Sequence, residues 1–211
     1  MPLCVAQEKI GSIKKPSRSN LLALEDPSDL AVESLRSLRT SLHFAMLDAA
    51  APVLMVTGPS PGIGKSFVSA NLAVVLAQVD RRVLLIDADM RRGHLHKFFN
   101  VPRTNGLSSF LSGKIDLDDA ISPTQISNLS FMSSGEVPPN PAELLMMNTW
   151  QALVDQVSGE YDLVIYGHTH KQDIRKIGKT LVINPGESTD WLTGKSSVVI
   201  LDLGDMTYKV V

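Results

Sequence analysis

The chain of 211 residues has one cysteine, no excess of either charge, few aromatic side chains and no long apolar run. A lone Cys4 closes no internal disulfide, and nothing around it suggests metal binding or catalysis, so a reducing, cytoplasmic setting is expected. Lys and Arg number 20 against 22 Asp and Glu, a formal net charge of −2. That balance supplies no general attraction to nucleic acid or anionic lipid; nucleic acid is not expected as a partner, and contact with either would need a local patch. The longest apolar window, Phe67 to Val79, is broken by Ser69, Asn71 and Gln78 and falls short of the roughly 18 residues of a membrane span. The first residues, Met-Pro-Leu-Cys-Val-Ala, lack the basic segment and apolar run of a signal peptide. What is present is 44% apolar residues, and a length that makes one ordinary domain and a remainder at about 150 residues per domain.

Residues 1–28 read as a short strand, Leu3 to Ala6, and a basic connector holding Lys14, Lys15 and Arg18. A solvated linker is the simpler account of that cluster, and contact with phospholipid or nucleic acid is the other. Ser28 is placed to cap a helix running to Met46, with Leu30, Val32, Leu35, Leu38 and Leu42 near helical spacing. Pro52 to Thr57 and Arg82 to Ile86 are short apolar, β-branched runs that read as buried strands, with a mostly apolar helix, Lys65 to Val79, between them. Another helix is expected after Arg92, a short one from Leu107 to Leu111, a strand at Leu129 to Met132, a helix from Pro141 to Val157, and a strand at Tyr161 to Tyr166. Strands alternating with helices imply parallel βαβ units, so the expected fold is α/β, a P-loop NTPase-like sheet covered on both faces. After His170 the rhythm changes. Asp173 to Ile177, Thr180 to Ile183, Ser197 to Leu203 and Met206 to Val210 are strands with connections too short for crossovers, so antiparallel hairpins are expected to extend the sheet. The expected division is 1–28, 29–166 and 167–211, the last completing the same domain.

Between the first two strands lies Gly58-Pro59-Ser60-Pro61-Gly62-Ile63-Gly64-Lys65-Ser66, followed by a helix. Glycines let the backbone wrap closely and aim its N–H groups inward, and the helix N-terminus adds positive potential where phosphates sit. Nucleotide contacts are expected from Gly62, Ile63, Gly64, Lys65, Ser66 and Phe67, with Lys65 on the β- and γ-phosphates and the Ser66 hydroxyl on Mg²⁺. The match is imperfect, since Pro59 stands where the usual pattern has its first glycine. Asp87 and Asp89 follow the second strand, at the carboxyl end where open α/β sheets place ligands. Two carboxylates there either bind Mg²⁺ through water or accept a proton from an attacking hydroxyl.

Ser-Pro-Gly-Ile-Gly-Lys-Ser, Leu-Leu-Ile-Asp-Ala-Asp-Met-Arg and Gly-Glu-Val-Pro-Pro-Asn-Pro-Ala-Glu-Leu-Leu together resemble the cytoplasmic kinase domain of bacterial tyrosine kinases over residues 1–166. The resemblance implies ATP or ADP with Mg²⁺ as cofactor, catalytic roles for Lys65, Asp87 and Asp89, and metal contacts from Ser66 and Asp87. Glu33, Arg36 and Arg39 match that family's Glu-x-x-Arg-x-x-Arg helix, which implies self-association into rings.

The resemblance breaks after Ile165. The family continues Ile-Asp-Thr-Pro-Pro, whose Asp positions Mg²⁺ and its water; here Tyr166-Gly167-His168-Thr169-His170 follows, with Gly167 in the place of that Asp. Loss of that carboxylate is expected to harm phosphoryl transfer more than phosphate binding. From about residue 162, Tyr-Gly-His-Thr-His and Gly-Lys-Thr-Leu-Val-Ile-Asn-Pro-Gly-Glu-Ser resemble the end of calcineurin-like metallophosphoesterases, in which the two histidines are metal ligands. The other ligand motifs of a dinuclear site are absent from the chain, so His168 and His170 are expected at most to capture adventitious Zn²⁺ or Ni²⁺. The resulting expectation is an engineered or recombined chimera that binds nucleotide with little or no catalysis. A working ATP-dependent tyrosine kinase and a metal-dependent phosphoesterase stand as the alternatives.

Overall fold

A computed structural model describes residues 20–46, 52–57, 62–167, 172–177, 180–185, 199–201 and 208–210; for the last four segments it describes the backbone and its pairing. The expected strand at Leu3 to Ala6 lies outside these residues. A five-stranded sheet is built from β1 (Val53–Val56), β2 (Val83–Asp87), β3 (Ile121–Pro123), β4 (Leu129–Met132) and β5 (Leu163–Gly167), in the order β1-β5-β2-β4-β3. Its first four members run parallel, and β3 alone is antiparallel, against β4. The expected α/β architecture is therefore present. β3 escaped the sequence reading because it is three residues long and ends in Pro123, a residue that an edge strand tolerates.

Alternation along the strands distributes the core to the two faces. Val83 and Leu85 of β2, Leu129 and Phe131 of β4, and Leu163 and Ile165 of β5 pack with α1 (Leu22–Glu25), α2 (Leu30–Ala45) and α3 (Lys65–Ala77). Leu84, Ile86, Met132, Val164 and Tyr166 face the other way, toward α4 (Leu107–Leu111), α5 (Leu117–Ala120), α6 (Pro141–Leu144) and α7 (Asn148–Glu160). Trp150 of α7 meets Tyr166 edge-on, with ring centroids 5.3 Å apart.

The helices carry three corrections, and the C-terminal strands a fourth. Asp29, not Ser28, caps α2, because its carboxylate accepts the Ala31 N–H at 2.8 Å while the Ser28 hydroxyl donates to Asp26 instead. After Arg92 the chain makes only a 3₁₀ turn, Leu95–Lys97. The single helix expected from Pro141 is two, since α6 ends at Leu144 and Met147 adopts an extended conformation before α7. Residues 172–210 do make antiparallel hairpins, β6 (Gln172–Ile177) with β7 (Thr180–Pro185) and β8 (Val199–Leu201) with β9 (Tyr208–Val210). Each pair is a sheet of its own, and among the described residues no ladder joins either to the five-stranded sheet. At the β3 edge, the shortness of the strand and the missing N–H of Pro123 discourage a further partner.

Candidate nucleotide site

At the carboxyl ends of β2 and β5 lies a cavity of about 400 Å³. Its wall on one side is the turn into α3. Gly62 and Gly64 have φ values of 76° and 97°, a region that favours glycine, and Gly64 holds the cap position without any side-chain cap of its own. The first N–H groups of α3 are thus left for whatever occupies the cavity, which is the usual means by which a helix start binds an anion. Gly62, Gly64, Lys65, Ser66 and Phe67 line the space, whereas Ile63 is half-exposed and does not. Gly58 to Pro61 lie outside the described residues.

The opposite wall comes from β2. Asp87 is buried at the strand end, with Oδ2 accepting the Leu95 N–H at 3.1 Å and Oδ1 the Asp89 N–H at 3.3 Å. Burial raises its carboxyl to about 6, and the Asp89 charge adds to the rise, against the two backbone bonds and His94, which lower it. Gly93 is required next to it: a Cβ there would fall 2.8 Å from Asp87 Oδ2, 2.5 Å from the Asp89 carbonyl and against the Ser134 hydroxyl. Asp89 closes the following turn, its Oδ1 accepting the N–H groups of Arg91 and Arg92 at 3.2 and 2.8 Å. Burial lowers the Lys65 ammonium, and the Asp89 carboxylate pulls it back up.

Gly167 completes the rim. It stands in register with Asp87 on β2 and Val56 on β1, so the residue at the place of the missing carboxylate is at the cavity itself. A Cβ there would meet the Val56 carbonyl at 3.3 Å. The structure therefore brings together Gly62, Gly64, Lys65, Ser66, Phe67, Asp87 and Asp89 around one space. Asn20, Arg91, Arg92, His94 and Phe98 also line it and were not anticipated as site residues. The two arginines follow directly from the Asp89-closed turn, a signal present in the sequence. Asn20 has none, since its place depends on Asn71 of α3, whose Nδ2 donates to the Asn20 carbonyl at 2.8 Å.

A magnesium ion fits this donor set only in company. Ser66 offers a hydroxyl and Asp87 a carboxylate, and Mg²⁺ is commonly held by one or two carboxylates together with substrate phosphates and water. Among the described residues no three His, Cys, Asp or Glu side chains are close enough to hold a metal by themselves. His168 and His170 lie outside the described residues, so nothing supports a Zn²⁺ or Ni²⁺ site there. His94 is exposed and His96 half-buried, the latter with an Nδ1 that lacks a hydrogen-bond partner.

Comparison with known proteins agrees with this geometry. A family model described as NUBPL iron-transfer P-loop NTPase matches residues 50–156. The chain is 51% identical to the tyrosine-protein kinase wzc of Salmonella typhimurium over 156 residues, which are 74% of this chain and 22% of that protein. It is 45% identical to the tyrosine-protein kinase ptk of Acinetobacter johnsonii over 161 residues, 76% of this chain and 22% of that one. Among solved structures, the kinase domain of Escherichia coli tyrosine kinase ETK superimposes with a TM-score of 0.68 at 47% identity, covering 70% of this chain and 58% of that one. The chain thus spans little more than a fifth of the length of these curated relatives.

A calcineurin-like phosphoesterase superfamily model matches residues 133–206. Its first part, to Gly167, includes β5, which is hydrogen-bonded to β1 on one side and β2 on the other, so no separate domain begins there. The expectation of an engineered chimera is corrected by the same comparisons. The relatives are proteins of several bacterial species, and each covers about three quarters of the chain.

Proposed function

Because the chain belongs to the P-loop NTPase family whose model spans residues 50–156, we propose that it binds ATP or ADP in the cavity between α3 and β2. The observation that carries this is the convergence of the Gly62–Ser66 turn, the Lys65 ammonium and the Asp87–Asp89 pair on one space. In this reading the α3 N-terminus and Lys65 hold the phosphates. Ser66 and Asp87 would hold a Mg²⁺ brought in by the nucleotide, which when bound neutralises phosphate charge. The same proposal takes catalysis to be weak or absent. Phosphoryl transfer depends on positioning a metal and a nucleophile, and Gly167 offers no side chain for either.

Calorimetry with ADP and Mg²⁺ tests the proposal. Binding that Lys65→Ala abolishes is expected, and no heat from the unaltered protein would overturn it. Phosphotyrosine appearing after incubation with Mg-ATP, and lost in Asp87→Asn, would replace weak catalysis with a working tyrosine kinase. The phosphoesterase alternative has the match over residues 133–206 and no assembled ligand set among the described residues.

A cytoplasmic placement and self-association belong to the same proposal. No helix among the described residues is long and apolar enough to cross a membrane. On α2, Arg36 is paired with Glu33 at 3.1 Å, and Arg39 donates to the Val75 carbonyl at 3.2 Å. The Glu33–Arg36 pair is exposed enough to exchange partners with a second copy, and as an exposed pair it holds its present geometry weakly. A mass above the monomer by light scattering, reduced by Arg36→Ala, is expected; a monomer at every concentration would remove self-association.

A further inference from the structure

We infer that the nucleotide is held chiefly by cationic side chains of this chain, and that a divalent metal adds little to its affinity. The inference rests on the nucleotide-binding proposal and concerns how the same cavity balances charge. Three features carry it. Lys65, Arg91 and Arg92 line the space against two carboxylates, so the wall has an excess of positive charge before any ligand enters. Both carboxylates are engaged by backbone: Asp87 accepts N–H groups at each oxygen, and Asp89 Oδ1 accepts two. The position beside Asp87 at the end of β5, which also lines the cavity, is Gly167 and carries no charge.

The electrostatic consequence is direct. A polyphosphate beside several carboxylates is repelled unless a metal stands between them, and each carboxylate removed lowers the need for that metal. Here one is missing, and the other two have their charge partly met by backbone dipoles. Arginines at the mouth supply bidentate donors suited to phosphate oxygens, and Lys65 supplies a point charge at the helix start. The ligand class is therefore the free nucleoside polyphosphate anion as well as its metal complex.

Calorimetric titration of the full chain with ADP, in excess Mg²⁺ and separately in EDTA, tests this. The two dissociation constants are expected to agree within about threefold, and Arg91→Ala is expected to weaken the EDTA value by about tenfold, the loss of one charge-assisted contact. A loss of tenfold or more in EDTA for the unaltered chain would overturn the inference while leaving nucleotide binding intact. Absence of binding in both buffers would overturn the nucleotide proposal itself, and this inference with it. Gly167→Asp supplies the complementary arm. Its φ is not in the left-handed region, and an added Cβ would lie 3.3 Å from the Val56 carbonyl, which has to give by a few tenths of an ångström; a circular dichroism spectrum matching that of the unaltered chain checks that the variant folds. With the carboxylate restored, affinity is expected to fall at least tenfold on moving from Mg²⁺ to EDTA; equal affinities in that variant would also count against the charge-balance account.

Discussion

Asp87 shows how one residue's placement sets a cost that the fold has to carry. In the unfolded chain its carboxyl ionises near the ordinary value of 3.8; in the folded chain burial moves this to about 6. Below pH 4 the group is neutral in both states and costs nothing. Between pH 4 and 6 the folded protein binds the extra proton, so stability falls as pH rises, and above about 6 the penalty is complete. Two pH units correspond to about 3 kcal/mol at 1.36 kcal/mol per unit. Asp87→Asn removes the titration. It leaves one of the two backbone N–H groups, from Leu95 or Asp89, without its acceptor, which returns about 1 kcal/mol of the gain. The variant is expected to be about 1–2 kcal/mol more stable than the unaltered chain at pH 7 and equal or less stable at pH 4.5. Urea denaturation of both at the two pH values reads the difference, and parallel pH profiles would contradict it.

At the scale of elements, what the sequence made legible is what a local pattern determines. The strand–glycine–helix order fixed the phosphate turn, and the Asp-x-Asp at the end of an apolar run placed Asp87 and Asp89 opposite it. β4 and α4 were found at their observed bounds because each is a short apolar segment between clear breaks. The Ser28–Asp29 exchange at the α2 cap is local, but other elements depend on contacts distant in sequence. α1 is only four residues long, far below the length at which a helix is stable alone. It is held because Asn71, fully buried on α3, accepts the Ala23 N–H at 2.9 Å and donates to Asn20 and Phe67 carbonyls at 2.8 Å. In the sequence, Asn71 is only an interruption in an apolar window. Its polarity is the link that brings Asn20 to the cavity, and no periodicity announces that. The break between α6 and α7 is likewise invisible, because Leu145, Met146 and Met147 are all good helix formers. Gly167 was legible by comparison with a motif, but its register with Asp87 needed the sheet.

For the whole molecule, the question is whether the two helical layers are one folding unit, and the sheet provides the test. Leu84 and Leu85 are adjacent on β2, both fully buried, and they face opposite layers. Replacing either with Ala removes buried methyl groups and leaves a cavity, at a cost of about 2–5 kcal/mol. If β2 is shared by one cooperative core, damage on the α1–α3 side must lower the stability of the α4–α7 side equally. Trp150 reports on the second side through its packing on Tyr166. In a Trp191→Phe background its fluorescence isolates that layer, while far-ultraviolet circular dichroism follows the helices of both. Leu85→Ala is expected to shift the two denaturation curves together, and so is Leu84→Ala. A Trp150 transition that stays in place while the dichroism curve moves would mean that the layers unfold separately. The parallel ladders of β2 to both β4 and β5 argue for the single transition, since neither layer can lose its strands without opening the other's floor.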